Sequence, residues 1–159
     1  MLVPHDFSIQ HEVHNESGTI DLAQRLAAVI PNQFLIGLIG TLGAGKTRFT
    51  KALAEAAGVN ADLVTSPTFV ICQCYQGTFR LYHVDAYRIA DEDEWYELGL
   101  DEKMDEDAVM LIEWSDRFSH LLPAERLDIQ IEPTSETARL FTFTAQGANA
   151  AAVLRAMGR

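Results

Sequence analysis

The stretch Gln33–Gly40, QFLIGLIG, is apolar almost without interruption and shows no inside–outside alternation. Such a run is the pattern of a central parallel strand covered on both faces. It leads directly into Gly40–Thr47, GTLGAGKT, which satisfies G-x-x-x-x-G-K-[ST] at every fixed position. The next residues, KTRFTKALAEAAG, are good helix formers, and Gly58 is placed to end the helix. A buried strand, a glycine-rich turn and a helix, in that order, constrain the fold more than any other part of the chain. The glycines let the backbone take dihedrals that side chains disfavour and let it approach a ligand closely. Successive N–H groups can then form a concave nest for an anion, and the helix adds the positive end of its dipole. Lys46 is placed to reach the β- and γ-phosphates of a nucleotide, and the Thr47 hydroxyl suits a magnesium ligand.

The rest of the chain supports a sheet around that strand. FSIQHEV alternates like an edge strand. NESGTIDLAQRLAAVI reads as a helix capped by Asn15 or Ser17, with Ile20, Leu22, Leu26, Val29 and Ile30 as its apolar stripe. Two strands meet at a hairpin predicted at Gln76-Gly77, and DEDEWYELGLDE reads as an acidic helical turn or two ending near Gly99. AVMLIEW is a further buried strand, RLDIQIEP and ARLFTFTA are two more, and ANAAAVLRAMGR is a closing helix. The fold predicted is α/β: a P-loop NTPase-like three-layer sandwich with a parallel sheet core and added antiparallel strands, one domain over residues 1–159.

Charge narrows the partners. The net charge is −11, and Lys46, Lys51 and Lys103 are the whole lysine complement. A surface of that sign repels phosphate backbones, so this chain is not expected to grip RNA or DNA by itself. Its partners should be proteins, or a small anion held by a local site. No run approaches the eighteen apolar residues of a membrane span, and MLVPHDFSIQ has no signal-peptide pattern, so no membrane association and a cytoplasmic location are expected. Cys72 and Cys74 share one face of a strand and read as reduced thiols packed as small apolar groups.

A nucleotide site needs acid as well as a cradle. Glu113 follows five apolar residues in AVMLIEW, which puts it near the carboxyl edge of the sheet, where open α/β sheets bind ligands. Asp85 ends LYHVD in the same way, and His83 shares its face. Residues 65–69, TSPTF, hold Ser66 and Thr68 beside the stiff Pro67, a segment placed to sense a γ-phosphate by moving. Trp114 lies next to Glu113, and the run Asp91–Glu94 reads as a solvated helix face.

In order, LGAGKT, SPTF, YHVDAYR, ELGLDE and LIEWSDRF resemble the TsaE family, small bacterial ATPases of tRNA threonylcarbamoyladenosine synthesis. The resemblance implies a weak ATPase using ATP and Mg²⁺. Its activity would rise in complex with TsaB and TsaD, the protein that transfers the threonylcarbamoyl group, and it would meet tRNA only indirectly through that complex. It further implies that Leu42, Gly43, Ala44, Gly45, Lys46 and Thr47 hold the phosphates and that Thr47 and Glu113 ligate magnesium. Lys46, Asp85 and Thr68 would form the catalytic set, with Asp85 serving hydrolysis or coordination and Thr68 acting as a switch residue. Glu16 would lie near the adenosine end, and Arg139 would approach the nucleotide from the last strand. Position 41 is Thr, where many relatives have Asp; it is a variable slot of the loop. Two alternatives keep the loop: a small-molecule kinase and a non-catalytic nucleotide-binding scaffold. The nine arginines are spread from Arg25 to Arg159 with no lid-like cluster, against the kinase. A GTP switch would need N-K-x-D and D-x-x-G, and neither occurs.

Overall fold

Why the apolar run must be central is plain from its neighbours. A computed structural model describes residues 7–64 and 70–158 of the chain. The elements run β1 (Phe7–Val13), α1 (Glu16–Ala27), β2 (Phe34–Ile39), α2 (Lys46–Ala56), β3 (Cys72–Gln76), β4 (Arg80–Asp85), α3 (Glu92–Glu97), α4 (Leu100–Met104), β5 (Val109–Glu113), β6 (Arg126–Pro133), β7 (Arg139–Gln146) and α5 (Ala148–Met157). Among the described residues the strands form one seven-stranded sheet in the order β1-β7-β6-β2-β5-β4-β3. β2 pairs in parallel with β5 on one side and β6 on the other, and β4 continues the parallel set beside β5. β3 is added antiparallel at one edge, and β7 then β1 at the other. A parallel core with antiparallel additions is therefore what the chain forms.

Both faces of the sheet are covered. Phe34, Ile36 and Leu38 of β2 face the layer of α1, α2 and α5, packing with Leu26, Phe49, Leu53 and Leu154. Leu35 faces the opposite layer, where Ile112, Ile89, Trp95, Leu100 and Phe118 form a second core. Trp95 is fully buried, with its ring 5.4 Å from that of Phe118. A strand sandwiched this way has no polar face to show, which accounts for its lack of alternation. β1, at the edge, alternates as its sequence suggests.

Local chemistry sets the element ends. Asn15, not Ser17, caps α1: its Oδ1 accepts from the Gly18 N–H at 3.0 Å. Gly58, at φ +88°, closes α2. Asp91 caps α3 by accepting from the Glu94 N–H at 2.9 Å, so part of the acidic run is a helix start favoured by the dipole. The acidic helix ends near Gly99 as expected, but the chain then re-enters a helix as α4. Gly99 takes φ +68°, which ends one helix and turns the backbone into the next. A 3-10 segment over Ser115–Leu121 was not foreseen; it follows Trp114, the only non-glycine with positive φ among the described residues. Cys72 and Cys74 do share a face, but only Cys72 is half-buried, with its thiol pushed up to about 11 by burial; Cys74 is exposed rather than packed. No helix among the described residues is long and apolar enough to cross a membrane.

The hairpin forms at Gln76-Gly77 as predicted, with Gln76 paired to Arg80. Gly77, Thr78 and Phe79 all lie between the strands, because the tip docks on the end of α2: the Thr78 N–H donates to the Ala57 carbonyl at 2.7 Å. A Cβ at Gly77 would stand 2.2 Å from that carbonyl oxygen, so only glycine fits without movement. Gly77→Ala should lower stability by about 1–3 kcal/mol, the range for overpacking a tight contact. Urea denaturation measures this, and an unchanged midpoint would contradict the docking.

Candidate functional site

Parallel pairing aligns strand ends. Leu38 of β2 pairs with Glu113, and Asp85 of β4 pairs with Glu113 on its other side. The ends of three strands thus lie together at the carboxyl edge, where the chain leaves β2 for the glycine loop. His83 and Glu113 share the face of Leu81 and Leu111, the face that α2 covers, because side chains alternate along a strand.

The loop needs its glycines for two reasons. A Cβ at Gly40 would sit 2.7 Å from the Ile131 carbonyl oxygen and 3.0 Å from the Ala44 Cβ. Gly43 and Gly45 take φ of +79° and +111°, and a Cβ at either would meet nothing within 4 Å. There the requirement is conformational, and the space above the backbone is open. The Ala44 N–H closes the turn on the Thr41 carbonyl at 3.0 Å, and α2 begins with the Phe49 N–H donating to the Gly45 carbonyl at 2.9 Å.

Lys46 and Thr47 point into a cleft of about 520 Å³. Lys46 is only 5% exposed. Its ammonium donates to the Gly40 carbonyl at 2.7 Å and the Thr41 carbonyl at 2.8 Å, and stands 4.0 Å from the centre of the Trp114 ring. Burial lowers its pKa from the ordinary lysine value, while the carboxylates of Glu113, Asp116 and Asp85 act the other way. The Thr47 hydroxyl donates to Glu113 Oε1 at 3.1 Å, and His83 Nε2 meets Glu113 Oε2. Asp85 is held in place: its Oδ1 accepts from the Tyr87 N–H at 3.1 Å and its Oδ2 from Arg88 Nε at 3.2 Å. Trp114 reaches the same cleft because φ +61° turns it off the strand while its N–H still donates to the Leu38 carbonyl at 2.9 Å. Its ring lies 5.1 Å from that of Tyr87.

Across the loop lies a second hollow of about 460 Å³, lined in part by Glu16, Arg48, Arg139 and the backbone of Gly43–Gly45. Arg139 Nε donates to the Ala44 carbonyl at 3.0 Å, and an Arg48 guanidinium nitrogen pairs with Glu16 Oε2 at 2.9 Å.

The structure therefore gathers Leu42, Gly43, Gly45, Lys46, Thr47, Asp85 and Glu113 around one cleft, and Glu16, Ala44 and Arg139 around the adjoining one. Leu42 is 91% exposed at the loop tip. Ser66, Pro67 and Thr68 lie outside the described residues. Residue-by-residue reading passed over Arg48, Tyr87 and Arg88, which also line the first cleft. Arg48 was within reach, since it directly follows the motif on the first turn of α2. Tyr87 carried a weaker signal: it is an aromatic two residues past a strand-end carboxylate, and it proves 63% exposed.

A glycine loop between a central parallel strand and a helix, with carboxylates at the neighbouring strand ends, defines a protein of P-loop NTPase-like fold. The solved structure of Bacillus subtilis YdiB has this fold: it superposes with a TM-score of 0.82, is 34% identical, and the match covers 97% of this chain and 96% of that one. The model of the family described as threonylcarbamoyl adenosine biosynthesis protein TsaE matches residues 13–141. The TsaE protein of Bacillus subtilis is 43% identical over 134 residues, which is 84% of this chain and 83% of that protein. The TsaE protein of Streptomyces coelicolor is 38% identical over 135 residues, covering 80% of this chain and 90% of its own length. The chain belongs to the TsaE family.

The backbone argument at the loop can be tested directly. Gly45→Ala should destabilise the fold by about 1–2 kcal/mol, the cost of a left-handed L-residue, although its methyl would meet no atom. Thermal or chemical unfolding reads this, and full wild-type stability would show that the loop relaxes at no cost.

Proposed function

We propose that this chain binds ATP with Mg²⁺ in the cleft beneath Leu42–Thr47 and hydrolyses it slowly, as an accessory of tRNA threonylcarbamoyladenosine synthesis acting with TsaB and TsaD in the cytoplasm. The observation that carries the reading is the pairing of an open glycine nest with the 3.1 Å contact between Thr47 and Glu113. Amides from Leu42 to Thr47 would hold the phosphates. Lys46 would exchange its loop carbonyls for phosphate oxygens.

The residues present fit a magnesium ion. A hydroxyl and a carboxylate are hard oxygen donors, and they stand side by side. Among the described residues no group of three or more His, Cys, Asp or Glu forms a protein cage. When bound, magnesium neutralises phosphate charge. Thr47 and Glu113 would hold it. Asp85, fixed by Arg88 and by the Tyr87 N–H, would orient the attacking water. Glu16 and Arg139 border the adjoining hollow and would contact the nucleoside end.

The charge of −11 supports action through proteins: the subunit that holds tRNA should carry the opposite sign. The family's relatives bear the name of the tRNA threonylcarbamoyladenosine pathway.

Calorimetry with ADP and ATP, with and without Mg²⁺, tests the site. Glu113→Gln should weaken the magnesium-dependent part of binding by about tenfold or more, as loss of a metal-site carboxylate does. An unchanged magnesium dependence would remove Glu113 from the site. Asp85→Asn is the sharper variant for hydrolysis, because Asn still caps the turn that Asp85 caps. It should bind nucleotide normally, yet lose about 10²-fold of the hydrolysis seen with TsaB, TsaD and tRNA reconstituted. Equal hydrolysis by variant and wild type would count against the assignment.

A further inference from the structure

Among the described residues, His83 is a buried polar side chain at the carboxyl edge that the reading above leaves without a role. It is fully buried on β4. Its Nε2 contacts Glu113 Oε2, while the other oxygen, Oε1, is the nearer acceptor for the Thr47 hydroxyl, at 3.1 Å against 3.4 Å for Oε2. Three elements therefore meet through one carboxylate: an imidazole from β4, the carboxylate from β5 and a hydroxyl from α2. His83 Nδ1 is buried and finds no hydrogen-bond partner among the described residues. Burying an unpaired polar atom is unfavourable, and an aliphatic side chain beside Leu81 and Leu111 would avoid it. The contact that offsets this cost is the one to Glu113.

We propose that His83 is a positioning residue: by holding one oxygen of Glu113 it turns the other toward Thr47 and so sets the affinity of the site for magnesium-bound over metal-free nucleotide. This inference rests on the nucleotide reading of the cleft. The glutamate side chain has several rotatable bonds, and hydrogen-bond partners behind a metal ligand commonly fix its orientation. A carboxylate oxygen accepts, so the ring serves Glu113 through a proton on Nε2. The imidazole does not line the cleft, so it acts through Glu113 and not on the ligand.

The test compares wild type with His83→Gln, His83→Asn and His83→Leu, using calorimetric titration of ADP with Mg²⁺ and again with EDTA. Glutamine can place an amide N–H near the position of Nε2; asparagine is too short, and leucine has no donor. His83→Leu and His83→Asn should lose about 10–100-fold in Mg-ADP affinity, with metal-free ADP affinity held within about twofold, and His83→Gln should stay within about threefold of wild type. Equal magnesium enhancement in all four proteins overturns the proposal. So does an equal loss with and without the ion, which is what a purely structural role produces. If His83→Leu does not fold, the contrast between glutamine and asparagine still decides. If wild type itself binds no ADP under either condition, the nucleotide reading fails, and a second readout still judges the histidine. In ¹⁵N spectra of the nucleotide-free wild type, the His83 ring should carry its proton on Nε2; a proton on Nδ1 alone overturns the assignment.

Discussion

A strand paired on both sides and covered on both faces can place polar chemistry only beyond its ends. β2 is such a strand, held between β5 and β6 and sealed by two cores. Everything else at the site follows from that confinement. The turn out of β2 must clear the end of β6, where Gly40 passes within 2.7 Å (measured from a hypothetical Cβ) of the Ile131 carbonyl oxygen. It must then reverse into α2, which covers one face of the same sheet. Gly43 and Gly45 allow that reversal with their backbone amides turned to open space.

The parallel neighbours of β2 end at the same level, so their last side chains are delivered to the loop. Several of the charged and polar groups there are held by one another before any ligand is considered. Lys46 is tied to the loop carbonyls, Thr47 and His83 to Glu113, and Asp85 to Arg88. Arg117 adds a brace. Its guanidinium donates to the carbonyls of Ala86 at 3.0 Å and Tyr87 at 2.6 Å, joining the turn after β4 to the segment after β5. A site whose members already restrain one another loses little entropy on binding. The same arrangement sets Lys46, Arg48 and Arg88 around one cleft with Asp85 and Glu113, in a chain whose net charge is −11. An anion bound as proposed would depend on these few groups and on the amides, not on the overall field.

Much of this was legible before any coordinates. Continuous apolar runs marked β2 and β5, because burial on both faces removes alternation. The β5 run marked Glu113, and the end of LYHVD marked Asp85, because a charge can follow a buried strand only at its end. The loop motif carried its own strand and helix context. Other features were not legible. The role of His83 depends on β4 lying beside β5 in one particular register, and a single strand sequence does not state its partner. Trp114 reaches the cleft through a left-handed backbone that tryptophan seldom adopts. Gly77 looked like an ordinary turn glycine, yet its constraint is the carbonyl of Ala57, twenty residues earlier. The exposure of Cys74 reflects its place on the last strand of the sheet, which no spacing rule discloses.

By itself, the sequence determined the strand–loop–helix unit, the alternation of sheet and helix, and which carboxylates end strands. Those are local matters of period, backbone freedom and charge placement, and each is written within about a dozen neighbouring residues. Only the tertiary structure decided which strand ends stand side by side, that Glu113 lies between Thr47 and His83, and that Glu16 and Arg139, from opposite ends of the chain, line one hollow. Those contacts join residues far apart in sequence, and they exist only once the sheet order and register are set by burial of the two cores.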